Sequence, residues 1–161
     1  MNEELIVASR DGNFNIVSEL LNKGAYVNAK NNSGETALIK ASEKGYKDLV
    51  YLLLAKGADW NATTYDDGYA PLHSAASSGH KDIVDLLLTR GASVGTRDFY
   101  SRTPLHYAAA GGQREVVELL LTKYSGGLNA PDYYDKTPLY YAAKNGHMEV
   151  VELLRQHGGH E

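Results

Sequence analysis

The chain has 161 residues, no cysteine and a formal net charge of −4. Lack of cysteine removes disulfides, cysteine–zinc sites and thiol catalysis together, and the acidic balance argues against a nucleic-acid partner. No apolar run approaches the ~18 residues needed to cross a bilayer, and the acidic start Met1-Asn2-Glu3-Glu4 lacks the basic and apolar regions of a signal peptide, so the sequence predicts a soluble cytoplasmic chain with no membrane partner, the nucleus being an open alternative.

The first segment predicts two short helices with no hairpin before them. It ends Leu20-Leu21-Asn22, where later copies carry three leucines. From Leu38 onward one pattern recurs. Leu38 and Leu72 are 34 residues apart, Leu72 and Leu105 are 33, and Leu105 and Leu139 are 34. A period near 33 that holds at single-residue detail marks a repeat array. We divide the chain into units 1–29, 30–62, 63–96, 97–130 and 131–161, forming one domain whose first and last units act as caps. At both ends a polar residue, Asn22 or Arg155, stands for the third leucine, as a terminal unit without a neighbour requires.

Each interior unit reads as a hairpin, a short helix, a tight turn, a longer helix and an exit loop. In the fourth, Asp98 to Arg102 make the hairpin, Thr103 is the expected N-cap and Pro104 occupies the first helical position, where a missing N–H costs nothing. Ala108 and Ala109 allow close helix approach, and Gly111-Gly112 ends the helix. The second helix starts near Arg114 and sets Val116, Val117, Leu119, Leu120 and Leu121 on an apolar face. The same slots recur at Leu49 to Leu54 and at Ile83 to Leu88, with Gly57 and Gly91 placed for left-handed C-caps. Two copies carry an extra loop residue, one between Asn61 and Gly68 and one in Tyr124 to Leu128.

This unit resembles the ankyrin repeat. The resemblance rests on Ala70-Pro71-Leu72-His73, Thr103-Pro104-Leu105-His106, Thr137-Pro138-Leu139, Gly79-His80, Gly57-Ala58-Asp59, Asn61-Ala62 and Asn129-Ala130, and covers about residues 3 to 157. It implies an all-α solenoid of helix-turn-helix units with hairpin loops, a concave groove made by hairpins and first helices, and a protein partner. It also implies that His73 and His106 hydrogen-bond the backbone of neighbouring repeats.

Chemistry is sparsely represented. There is no phosphate-cradling glycine loop, Asp66-Asp67-Gly68 lacks the alternating acids of a calcium loop, and Ser74 and Ser77 have no histidine-plus-acid arrangement. His157-Gly158-Gly159-His160 reads as a frayed tail, not a metal site. The expectation is no catalysis, no cofactor and no metal.

What departs from an ordinary array is tyrosine: twelve, against two phenylalanines and one tryptophan. Tyr65, Tyr69, Phe99, Tyr100, Tyr133 and Tyr134 fall in hairpins, where little is buried, and repeat at the array period. Tyrosine gives stiff contact area with a hydroxyl, as binding surfaces favour. Tyr107 and Tyr141 follow the Leu-His slot and, like Tyr140, are open to either packing or contact. Trp60 replaces the usual valine of its turn, and its nearness to Tyr65 favours an extension of the stripe. Arg97 and Arg102 flank Phe99 and Tyr100, and with Asp66, Asp67, Asp135 and Lys136 are expected to supply specificity. The partner-binding set is therefore Trp60, Tyr65, Tyr69, Arg97, Phe99, Tyr100, Arg102, Tyr107, Tyr133, Tyr134 and Tyr141. A monomer is expected, with a homodimer through the tyrosine patch as the alternative. Two origins stay open. The tyrosine bias, absence of cysteine and tidy ends favour an engineered binder, whereas irregular loops and Ala37 and Ala70 in variant slots favour a natural adaptor or kinase-inhibitor-like parent.

Overall fold

Threonine and proline start most of the first helices. In the computed structural model, which describes residues 1–124 and 127–161, the Thr36, Thr103 and Thr137 hydroxyls accept from the amides of Ile39, His106 and Tyr140 at 3.1, 3.4 and 3.4 Å. Pro71, Pro104 and Pro138 are the first residues of their helices. Among the described residues ten helices follow in pairs: α1 (Asn2–Arg10) and α2 (Phe14–Asn22), α3 (Ala37–Lys44) and α4 (Lys47–Ala55), α5 (Pro71–Ser78) and α6 (Lys81–Thr89), α7 (Pro104–Ala110) and α8 (Arg114–Thr122), α9 (Pro138–Lys144) and α10 (Met148–Gln156). Among the described residues there is no strand, and no helix is long and apolar enough to cross a membrane.

The odd-numbered helices pack in one row and the even-numbered helices in a second, each touching its neighbours along the row and its own pair partner. Ala75, Ala108 and Ala142 are fully buried and allow the first helices to approach closely, while Leu38, Leu72, Leu105 and Leu139 fill the space between layers at 2 % exposure or less. Each such leucine contributes about 1.5–3 kcal/mol by leaving water. Because every unit buries its leucines against the next, the core is continuous along the stack.

Polar interlocks repeat at the same interval. His80, Gln113 and His147 stand at the start of their second helices and reach back to the carbonyls of Glu43, Ser77 and Ala110 at 2.9, 3.0 and 3.0 Å, which end the preceding unit's first helix. His73 Nδ1 accepts from Ala70 N–H at 3.0 Å, which leaves Nε2–H to donate to the Arg102 carbonyl at 3.0 Å. His106 joins Thr103 N–H to the Lys136 carbonyl in the same way, at 3.0 Å each. Burial holds both imidazoles below the usual histidine pKa, against the pull of the carbonyls they bond, so the neutral ring is the form the fold uses.

Two expectations about the ends are corrected. All five second helices have nine residues, so Asn22 aligns with Ala55, Thr89 and Thr122, not with a leucine. The polar replacement in the first unit is Glu19, opposite Leu52, Leu86 and Leu119, whereas in the last it is Arg155, opposite Leu54, Leu88 and Leu121. The two slots lie two positions apart, about 200° around the helix axis. In the first unit Ile16 is 44 % exposed, although its counterparts Leu49, Ile83, Val116 and Val150 are nearly inaccessible. The tail is not frayed either. Thr137 Oγ donates to the His160 carbonyl at 2.6 Å, and Asn129 accepts from His160 N–H and donates to the Gly158 carbonyl. The extra residue of unit 63–96 lies in its hairpin, since Thr64 N–H bonds Tyr69 where Asn31, Asp98 and Asp132 bond the residue four further on. Ser125 and Gly126, within the second proposed insertion, lie outside the described residues.

Candidate functional site

Four hairpins project beyond the first helices, and an acceptor side chain builds each one. Asp98 Oδ1 accepts from the amides of Tyr100 and Arg102 at 3.0 and 2.9 Å, and Asp132 Oδ1 from those of Tyr134 and Lys136 at 2.9 Å each. Asn31 does the same for Ser33 and Glu35, and Thr64 for Tyr69 alone. Backbone rungs join hairpin to hairpin: Tyr65 N–H to the Ser33 carbonyl, Phe99 to Asp67 and Tyr133 to Tyr100, at 3.0, 2.9 and 2.8 Å. These rungs set Tyr65, Phe99 and Tyr133 at the same point of successive hairpins, so their side chains form one line.

The line is solvent-facing. Exposure is 58 % for Tyr65, 62 % for Phe99, 76 % for Tyr133, 55 % for Tyr134 and 38 % for Tyr100. The ring of Tyr65 lies over Gly34, and that of Phe99 over Gly68, so closely that a Cβ on Gly68 would come within 2.5 Å of the ring. At the next hairpin the equivalent tip is Ser101, which keeps the left-handed backbone (φ 61°) but carries a side chain. Tyr133 has no glycine to lie on and stands furthest into solvent. Tyr133 and Tyr134 meet edge to face at 5.6 Å.

Tyr107 and Tyr141 have a different environment. Each donates a short hydrogen bond to the second oxygen of its own hairpin aspartate, Asp98 or Asp132. Burial, then the adjoining carboxylate, raises both phenol pKa values above the ordinary tyrosine range. Arg102 joins the last two units: its Nε lies 3.3 Å from Asp132 Oδ2, its Nη2 donates to Tyr141 Oη at 3.1 Å, and it lies over the Tyr100 and Tyr141 rings at 5.2 and 5.1 Å. Burial opposes the guanidinium's charge, but hydrogen bonds with Tyr141, Tyr107 and Asp132 outweigh it and raise its pKa. Burial likewise opposes ionisation of Asp132, yet donors from Tyr141, two backbone amides and Arg102 keep its pKa below the usual carboxylate value.

The remaining candidates divide. Tyr69 is half-buried, stacked on His73 at 5.4 Å and edge-on to Tyr107 at 4.9 Å, and lines an open cavity between the hairpins and the first helices. Arg97 is exposed, but its Nη1 donates to the Ser101 carbonyl at 2.7 Å and the Pro131 carbonyl at 2.9 Å, tying adjacent loops. Trp60 packs toward Gly91 of the following unit and against the leucine core. Tyr65, five residues away in sequence, reaches back to the preceding unit instead, so the structure does not bring Trp60 together with the stripe. Asp98 and Asp132, which hold the hairpins and the two tyrosines, are not among the residues expected from the sequence to form the site. The signal was present, because aspartate precedes tyrosine by nine residues at Asp98/Tyr107 and again at Asp132/Tyr141.

Comparison with known proteins agrees with this architecture. The family model described as "Ankyrin repeats (3 copies)" matches residues 5–98 and 92–161. The chain is similar to "Probable E3 ubiquitin-protein ligase XBOS32" of Oryza sativa subsp. japonica, 36 % identical over 72 residues, which is 45 % of this chain and 14 % of that protein. It is 42 % identical over 65 residues to "Inactive serine/threonine-protein kinase TEX14" of Bos taurus (40 % of this chain, 4 % of that protein), and 47 % identical over 57 residues to "Mitochondrial disaggregase" of Homo sapiens (35 % and 8 %). The chain thus spans less than a fifth of each of these relatives. With matched segments that together cover residues 5–161 and a stack of paired helices bridged by His73 and His106, the chain belongs to the ankyrin-repeat family.

Proposed function

We propose that the chain is a non-catalytic protein-interaction module that binds its partner through the aromatic concave face of hairpin tips and first helices. The observation that carries this reading is the line of exposed rings, Tyr65, Phe99, Tyr133 and Tyr134, held in register by backbone rungs. Monomeric proteins seldom expose contiguous apolar surface without a use for it. The contact set is centred on these residues and Tyr100, with Tyr69, Tyr107 and Tyr141 forming the wall behind them. Arg102, Asp98 and Asp132 position that wall, and Arg97 fixes the loops that carry it.

Affinity capture tests the reading. Intact protein should retain a partner that is lost when Tyr65, Phe99, Tyr100, Tyr133 and Tyr134 are replaced by serine, with the helical circular-dichroism signal unchanged. Undiminished capture by the serine variant would overturn it. Light scattering distinguishes self-association through the same face, since a mass that rises with concentration and falls back in the serine variant identifies a homodimer.

A further inference from the structure

The groove changes character along its length. Between the hairpins of units 30–62 and 63–96 and the helices α3 and α5 lies an open cavity of about 450 Å³, with Glu35, Glu43, Asp66 and Asp67 on its walls and Tyr69 at its side. Lys40 lies 3.0 Å from Glu35 and 3.3 Å from Glu43. Asp66 and Asp67 make no ion pair among the described residues. Four carboxylates against one ammonium leave the cavity walls with a surplus of negative charge, and Lys30 beside them is engaged, donating to the Thr63 carbonyl at 2.6 Å and lying 5.0 Å over the Tyr65 ring. The Tyr69 phenol registers that field. Its pKa is raised first by burial and further by the charges of Glu43, Asp98 and Asp67, against a hydrogen bond to Ser77.

The arrangement selects among cations. Among the described residues no three acidic or imidazole groups gather closely enough to hold a metal ion, so the charge is spread along the walls. Spread negative charge beside the face of an aromatic ring suits a cation on a long flexible stem, an arginine above all and a lysine next. Toward the other end the cations of the face already have partners: Arg102 with Asp132, Arg97 with two carbonyls, and Lys136 over the Tyr140 ring at 4.5 Å. The surface that remains there is mainly aromatic, with the exposed carboxylate of Asp135 at the last hairpin tip.

We propose that the partner contributes an extended cationic segment, placing an arginine or lysine in the cavity beside Tyr69 and apolar side chains along Phe99, Tyr133 and Tyr134. This rests on the aromatic hairpin line being the contact surface, and it adds both charge and direction. A phage-displayed library of random peptides about twelve residues long, selected on the intact protein, supplies the probe. Selected peptides should carry arginine or lysine at one end and aromatic or aliphatic residues at the other. Asp66→Asn/Asp67→Asn should weaken them roughly three- to tenfold, less at high salt, as expected for exposed ion pairs. Peptides that lack basic residues, or that ignore the asparagine variant, overturn the cationic segment. If Tyr133→Ser/Tyr134→Ser still weakens those same peptides, the aromatic reading stands without it. Failure to obtain any peptide sensitive to either variant overturns both.

Discussion

Units 30–62 and 97–161 have the same backbone plan and fill it differently. In the earlier unit the hairpin is built on Asn31, its tip is Gly34, and the slot on the first helix facing the hairpin is Lys40, paired with Glu35 and Glu43. In the later units the hairpins are built on buried Asp98 and Asp132, their tips are Ser101 and Asp135, and the facing slots are Tyr107 and Tyr141. An amide can build a hairpin, but only a carboxylate has a second oxygen able to receive a tyrosine hydroxyl and an arginine as well. The later half therefore has a cross-linked, aromatic face, and the earlier half a solvated, acidic one.

Substitution of the hairpin builders should separate the two halves most strongly. Asp132→Ala removes the acceptor for two amides, Tyr141 and Arg102, and should cost about 3 kcal/mol in urea denaturation, whereas Asn31→Ala should cost about 1 kcal/mol. Equal losses would mean that the Arg102 network adds nothing. The glycine tips come next. Gly68→Ser puts a Cβ into the Phe99 ring on a left-handed backbone and should cost about 2 kcal/mol, while Ser101→Gly should change stability by less than about 0.5 kcal/mol.

For binding, the contrast is between exposed and engaged rings. Tyr134→Ala should cost more than about 1 kcal/mol of partner affinity without lowering the melting temperature, as truncation of an aromatic anchor does, and Tyr100→Ala should cost as much while also loosening Arg102, which lies over its ring. The smallest effect concerns the core. Ser9 and Ser42 occupy the slot that holds Ala76 and Ala109 in the middle units, and their hydroxyls are buried without a hydrogen-bond partner among the described residues. Ser42→Ala should raise stability by about 0.5–1 kcal/mol, since an unsatisfied buried hydroxyl is removed at little loss of volume. A loss on that substitution would show that the hydroxyl has a partner in solution.

Much of the candidate face was legible in the hairpin residues. Tyr65, Phe99, Tyr133 and Tyr134 are exposed, as their placement in short loops predicted, because a hairpin tip has little around it to bury a ring. Tyr107, Tyr141, Arg102 and Trp60 were not legible in this way. Their neighbours are Asp98, Asp132 and Gly91, residues of another element or another unit. The first unit's polar end slot differs from the sequence expectation for a related reason: counting leucines back from the helix end places Asn22, whereas the helix register selects Glu19.

The sequence by itself determined the period, the paired helices, their threonine, proline and glycine boundaries and the leucine layers. Those features depend on contacts within one unit or on a slot repeated in every unit, so a local pattern carries them. Tertiary structure alone decided which aromatic rings are free and which are braced. The same residue type at the same period lies over glycine at Phe99, stands clear at Tyr133, or donates to a buried carboxylate at Tyr107, according to what the adjoining hairpin offers it.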